Sequence, residues 1–98
     1  MAKTKVANVK DIPAGQGRVV NAKGVLIALF NADGKFYAIN NSCAHRGGPL
    51  GEGDLEGTTV TCPLHGWQYD VTTGESDTGA SVSSYKVTVE GEEIFVEI

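Results

Sequence analysis

The chain has 98 residues, 41% of them hydrophobic, with 12 acidic against 8 basic side chains and a formal net charge of -4. That length predicts one compact domain over residues 1–98, and a core so small is often reinforced by a metal or a disulfide. The acidic balance excludes a nucleic-acid carrier, which needs a basic stripe, and the longest apolar stretch, Val25 to Phe30, is far too short to span a bilayer.

Met1 to Lys5 alternates small and charged residues with no apolar segment after it. No signal peptide is expected, and the simplest location is cytoplasmic. Val6 to Val9 reads as a strand stopped by the turn cluster Asp11-Ile12-Pro13-Ala14-Gly15. Arg18 to Asn21 and Val25 to Asn31 are further strands. Asp33-Gly34 is a hairpin turn that returns the chain along Lys35 to Asn40. Ser42 to Gly57 is rich in Gly and poor in β-branched residues, and reads as loop. Thr58 to Thr61 and Trp67 to Val71 are short strands, the second ending at Thr72-Thr73-Gly74. Ser84 to Val89 alternates with period 2, as a half-buried strand does, and pairs across Glu90-Gly91-Glu92 with Glu93 to Ile98. No amphipathic helix is evident. The fold class is all-β: an antiparallel β-sandwich or small barrel carrying a loop-built subdomain, residues 41–80, at one end.

The chain has two Cys and two His, and all four fall in two short motifs, Cys43-Ala44-His45 and Cys62-Pro63-Leu64-His65. Sixteen residues separate His45 from Cys62. A lone Cys is usually a small buried hydrophobe and a lone His a surface residue. Independent roles do not account for every Cys and His of a chain gathering in two matched loops. In a reducing compartment such cysteines are metal ligands or catalytic groups rather than a disulfide. Two thiolates and two imidazoles satisfy a tetrahedral zinc ion. Common zinc modules, however, draw a Cys pair from one loop and a His pair from a helix. A [2Fe–2S] cluster with mixed ligation also uses two Cys and two His, Cys on one iron and His on the other.

The runs Cys43-Ala44-His45-Arg46-Gly47 and Cys62-Pro63-Leu64-His65-Gly66-Trp67 resemble the two cluster-binding loops of Rieske ferredoxins, and the likeness is strongest from Asn41 to Gly74. The resemblance implies one [2Fe–2S] cluster, with Cys43 and Cys62 on the inner iron and His45 and His65 on the outer, solvent-facing one. Neutral imidazoles make the added electron easier to accept than four thiolates would, placing such clusters at roughly −150 to +300 mV. High-potential relatives carry a Ser where this chain has Trp67, and an additional Cys in each loop. Their absence here implies a potential near the low end, as in ferredoxins that feed oxygenases. Tyr69 stands where a hydroxyl can bond a cysteine sulfur and raise the potential. Its other reading is a core aromatic with its hydroxyl at the surface.

Gly47, Gly48 and Gly66 sit beside the ligands, where close backbone approach brings N–H donors to anionic sulfides. Pro49 and Pro63 stiffen the same loops. The family's third, covering loop corresponds to Asp77-Thr78-Gly79-Ala80-Ser81, which lacks the usual Pro and so implies a more mobile cover. Arg46 reads as a solvated charge or a contact to the reduced cluster or a partner. Glu52, Asp54 and Glu56 form an acidic loop that, with Glu75 and Asp77, is a solvated face or a docking rim for basic partners.

The role implied is a monomeric one-electron carrier between an NAD(P)H-dependent reductase and a terminal oxygenase of the ring-hydroxylating type, and not an enzyme alone. The alternatives are the small subunit of an assimilatory nitrite reductase-like complex, and a structural zinc or redox-sensing module. A terminal oxygenase would need a further two-His, one-carboxylate iron, and both His are already committed.

Overall fold

The computed structural model describes residues 3–42, 49–63 and 66–98. These form three antiparallel sheets stacked in layers. The outer sheet contains β1 (Lys3–Asn8), β10 (Glu93–Glu97) and β9 (Val87–Glu90), in that order. The central sheet runs β2 (Gly17–Ala22), β3 (Val25–Ala32), β4 (Lys35–Asn40), β8 (Ser84–Tyr85). The small sheet is β5 (Asp54–Glu56), β6 (Thr59–Thr61), β7 (Gln68–Asp70).

The central sheet is buried on both faces, which is why β3 reads as a continuous apolar run rather than an alternating one. Successive side chains still point to opposite sides. Ile27 and Leu29 face the outer sheet, where they meet Ile12, Val20, Ala22, Ala38, Ile94 and Val96. Ala28 and Phe30 face the other way, into a second cluster with Ile39, Leu50, Val60, Cys62, Tyr69 and Val71. The first cluster makes the sandwich. The second fastens the small sheet and the segments around it onto the sandwich.

The hairpins fall where the sequence puts them. Asp33 and Gly34 take φ of 54° and 92°, and the Asn31 side-chain oxygen accepts the Gly34 N–H at 2.8 Å. Asn31 also donates to the Ile12 carbonyl at 2.8 Å. This buried amide therefore joins the hairpin to the crossover that precedes β2.

Three expectations are corrected. The first strand begins earlier than Val6, at Lys3, and Val9 starts a 3-10 turn over Val9–Asp11 that the Asp11 carboxylate closes by accepting the Asn8 N–H at 3.1 Å. Ser84 to Val89 is two strands, not one. Tyr85 pairs with Ala38 of the central sheet, whereas Val87 pairs with Val96 of the outer sheet, so the chain changes layer at Lys86. The period-2 burial carries across the crossing from Tyr85 to Val87 and stops there, as Val89 is exposed. Finally, Ser42 to Gly57 is not all loop. It contains a 3-10 turn at Leu50–Glu52 and the strand β5. Local propensity for β5 is weak, but Asp54, Leu55 and Glu56 pair with Thr61, Val60 and Thr59, and Leu55 packs on the second cluster.

Candidate metal centre

Of the four predicted ligands, Cys62 lies among the described residues. Cys43 and His45 (within 43–48) and His65 (within 64–65) lie outside them, as do Arg46, Gly47 and Gly48. The frame that carries both segments is described, and it accounts for why the ligand motifs sit where they do in sequence.

The first segment leaves the end of β4 at Asn41–Ser42 and rejoins at Pro49–Leu50. Ser42 and Pro49 form an antiparallel bridge, and the Leu50 N–H donates to the Asn41 carbonyl at 2.8 Å. Residues 43–48 are therefore closed at the base by a two-pair stem. The second segment is the tip of the β6–β7 hairpin. Beyond the last ladder pair, Thr61 with Gln68, the Cys62 N–H donates to the Trp67 carbonyl at 2.7 Å. The Gly66 N–H donates to the Cys62 carbonyl at 3.0 Å. Gly66 takes φ of +74°, the left-handed conformation that lets so short a tip close, and its N–H is spent on the Cys62 carbonyl.

Leu50, at the foot of the first segment, and Cys62, at the foot of the second, belong to the same apolar cluster. Alternation along the small sheet supports this. Val60, Cys62 and Tyr69 are buried, while Gln68 and Glu56 on the opposite side are exposed. Cys62 is 2% exposed. A thiolate there offers a soft donor suited to iron–sulfur chemistry, in surroundings that keep water from the sulfur. The described side of the site fits such a group.

Tyr69 is fully buried, opposite Val60 and in the same cluster as Cys62, and Trp67 packs against that cluster from a half-buried position. Burial removes the reading of Tyr69 as an aromatic with its hydroxyl at the surface. The third segment, without Pro, is cross-linked by bridges and hydrogen bonds. Glu75 bridges Ser81 and Tyr69 bridges Ser76. The Ser76 N–H donates to the Ala80 carbonyl at 2.9 Å, and the Thr78 hydroxyl bonds that of Ser76 at 3.0 Å.

The acidic residues are not a loop. Asp54 and Glu56 share the open face of β5 and line one shallow depression with Thr59, Thr61 and Gln68; Glu75 and Asp77 line its neighbour with Thr59, Gln68, Tyr69 and Asp70. Asn41 was not singled out by sequence reasoning. The structure gives it three hydrogen bonds at the foot of the first segment. Its signal, an Asn at the junction of a strand and a Gly-rich stretch, is common to many turns.

An antiparallel sandwich with the two segments that carry the candidate ligands rooted in one cluster is the frame of an iron–sulfur domain of the Rieske kind. Residues 2–95 match the family model of the Rieske [2Fe-2S] domain. The chain belongs to that family, and its cofactor is one [2Fe–2S] cluster. Among curated relatives, it is 40% identical over 94 residues to the 3-phenylpropionate/cinnamic acid dioxygenase ferredoxin subunit of Shigella flexneri, covering 92% of this chain and 88% of that one. Among solved structures, the ferredoxin of carbazole 1,9a-dioxygenase from Nocardioides aromaticivorans superposes with a TM-score of 0.91 at 28% identity, over 98% of this chain and 97% of that chain. The complex of reduced oxygenase and oxidized ferredoxin in carbazole 1,9a-dioxygenase matches with a TM-score of 0.88 at 31% identity, over 96% and 91%.

Proposed function

We propose that the chain is a Rieske ferredoxin, a one-electron carrier that takes its electron from an NAD(P)H-dependent reductase and delivers it to a terminal oxygenase of the ring-hydroxylating type. The observation that carries this reading is length. Dioxygenase ferredoxin subunits match it over nearly the whole of both chains. It is an electron-transfer component, and the oxygen chemistry belongs to its partner. Residues 1–98 work as one domain in which 41–80 bind the cluster. The protein acts as a monomer in the cytoplasm; among the described residues no helix is long and apolar enough to cross a membrane.

Cys43 and Cys62 would hold one iron of the cluster, and His45 and His65 the other. When bound, the cluster accepts and releases a single electron at a potential set by ligand type, hydrogen bonds to sulfur and exposure. The chain's own work is to hold Cys62 in a dry foot, to root the two segments on one cluster of side chains, and to bury Tyr69 in that same cluster.

The Tyr69 hydroxyl is proposed to donate to a cysteine sulfur. A hydrogen bond to a cysteine sulfur favours the more negative, reduced cluster, so its loss lowers the midpoint potential. A net bond of about 0.5–1.5 kcal/mol corresponds to roughly 20–65 mV for one electron, at 59 mV per tenfold. Tyr69→Phe is expected to fall by that amount in protein-film voltammetry. An unchanged wave removes Tyr69 from the control of potential.

The function is tested by anaerobic purification followed by iron, sulfide and zinc analysis and EPR of the dithionite-reduced protein. About two irons and two sulfides per chain with a rhombic signal of low average g are expected. Added to a reductase and a terminal oxygenase, the loaded protein restores NAD(P)H-dependent turnover. One zinc and no sulfide, or a permanent complex with a nitrite reductase, overturns the carrier reading.

A further inference from the structure

Asn41 makes three hydrogen bonds at the place where the first ligand segment leaves the scaffold. Its N–H donates to the Leu26 carbonyl of β3 at 3.1 Å, and its carbonyl accepts the Leu50 N–H at 2.8 Å. Its side-chain Oδ1 accepts the Gly51 N–H at 2.8 Å. The first bond ties the outgoing strand to the central sheet. The other two tie it to the first two N–H groups of the 3-10 turn that follows the segment. These are the donors such a turn leaves without internal partners. The cap comes from across the stem rather than from Pro49, the residue before the turn, which makes no side-chain cap.

Gly51 explains why that cap has consequences. It is buried, and a Cβ on it would lie 2.7 Å from Val19 Cγ2 and 3.0 Å from the Val19 nitrogen. The 3-10 turn is therefore pressed onto β2 with no side chain between them. Leu50, one residue earlier, is fully buried in the cluster that contains Cys62. Through Asn41, the exit of the first segment is fixed to β3, its return is fixed to β2, and the return packs in the same cluster as the ligand of the second segment.

We propose that Asn41 is a positioning residue for the cluster: its side-chain oxygen, by accepting the Gly51 N–H, fixes the described base, Asn41–Ser42 and Pro49–Gly51, on either side of the segment whose sequence carries the proposed ligands Cys43 and His45. This rests on the ligand assignment proposed above. The two backbone bonds of residue 41 do not depend on its side chain, so a substitution isolates the third. Asn41→Ala leaves a buried N–H without its acceptor, a loss large enough to change a local equilibrium by about tenfold.

The test compares wild-type, Asn41→Ala and Asn41→Asp proteins carrying the cluster. In Asn41→Ala, cluster release to a ferrous chelator is expected to run about tenfold faster, with a changed midpoint potential. The Gly51 amide exchanges hydrogen faster, while β2–β3 amides exchange as before. Asn41→Asp keeps an acceptor in the same place and restores the wild-type release rate. A merely structural role would move the melting temperature and leave potential and release rate alone. Asn41→Ala with wild-type potential and release rate overturns the proposal. If Asn41→Ala does not fold, the wild-type protein still decides: its Gly51 amide is expected to be as protected as those of β3, and fast exchange there overturns the clamp. A wild-type protein without iron and sulfide instead overturns the ligand assignment on which the proposal rests.

Discussion

Cys62→Ser is expected to yield a colourless protein with no iron, no sulfide and no reduced-state EPR signal, yet with the β-rich circular dichroism of a folded chain. Serine is nearly isosteric with cysteine, so the substitution changes chemistry more than packing. A cysteine thiol ionises near pH 8.5 in the free residue and is a soft ligand once ionised. A serine hydroxyl stays protonated at neutral pH and offers a hard oxygen. Were Cys62 a core filler only, the outcome would differ. Its burial at 2% exposure would then cost about 1–3 kcal/mol for an added buried hydroxyl, and the metal content would be unchanged.

The retention of structure follows from the layering. The cluster between outer and central sheets, built on Ile27, Leu29, Ile94 and Val96, does not include Cys62. Loss of the metal therefore leaves the sandwich with its own core. The small sheet shares its cluster with Cys62, so with Cys62 as a ligand its folding is coupled to metal binding and weakens in the variant. Heating should show this as a lower first transition in the variant. Iron analysis, with circular dichroism on the same sample, separates the two readings: full iron in Cys62→Ser excludes this residue as a ligand.

Much of this architecture is legible in the sequence because the signals are local. Lys35–Asn40 is a strand with the bounds expected of it, since Asp33-Gly34 fixes the turn and Phe36, Tyr37 and Ile39 supply the β-propensity. The candidate ligands stand out in the sequence because rare, chemically distinctive residues gather in two motifs. Three features were not legible, each for a non-local reason. β5 is a strand only because β6 pairs with it, as Asp54 and Glu56 have little strand preference of their own. The change of sheet at Lys86 is silent, because alternation looks the same whichever layer a strand joins. Lys86 marks the junction by accepting the Glu97 N–H at 3.0 Å, a long-range bond. Asn41 is silent for the same reason: its partners Leu26 and Gly51 are 15 and 10 residues away in sequence.

Gly74→Ala is expected to destabilise the protein by about 2–5 kcal/mol, the largest effect of any single methyl group near the site. Two costs add. Gly74 has φ of +83°, a conformation that costs an L-residue about 1–2 kcal/mol. The added Cβ would also lie 2.2 Å from the Val82 carbonyl oxygen, a backbone atom that cannot rotate away. Relieving such overpacking costs about 1–3 kcal/mol. The Val82 carbonyl cannot simply recede, because the Val82 N–H donates to the Gly74 carbonyl at 2.8 Å and the Gly74 N–H donates to the Asp70 carbonyl at 2.7 Å. This crossing carries the chain from β7 toward β8 and so ties the small sheet to the central one. Gly79→Ala is the control. Its φ is +90°, but nothing lies within 4 Å of its Cβ position, so it bears the conformational cost alone. At about 4–8 °C per kcal/mol for a domain of this size, Gly74→Ala should melt roughly 8–40 °C below the parent and Gly79→Ala roughly 4–16 °C below. Equal melting temperatures for the two variants would show that the Val82 contact yields without cost, and that the tie between the small and central sheets does not depend on close approach at Gly74.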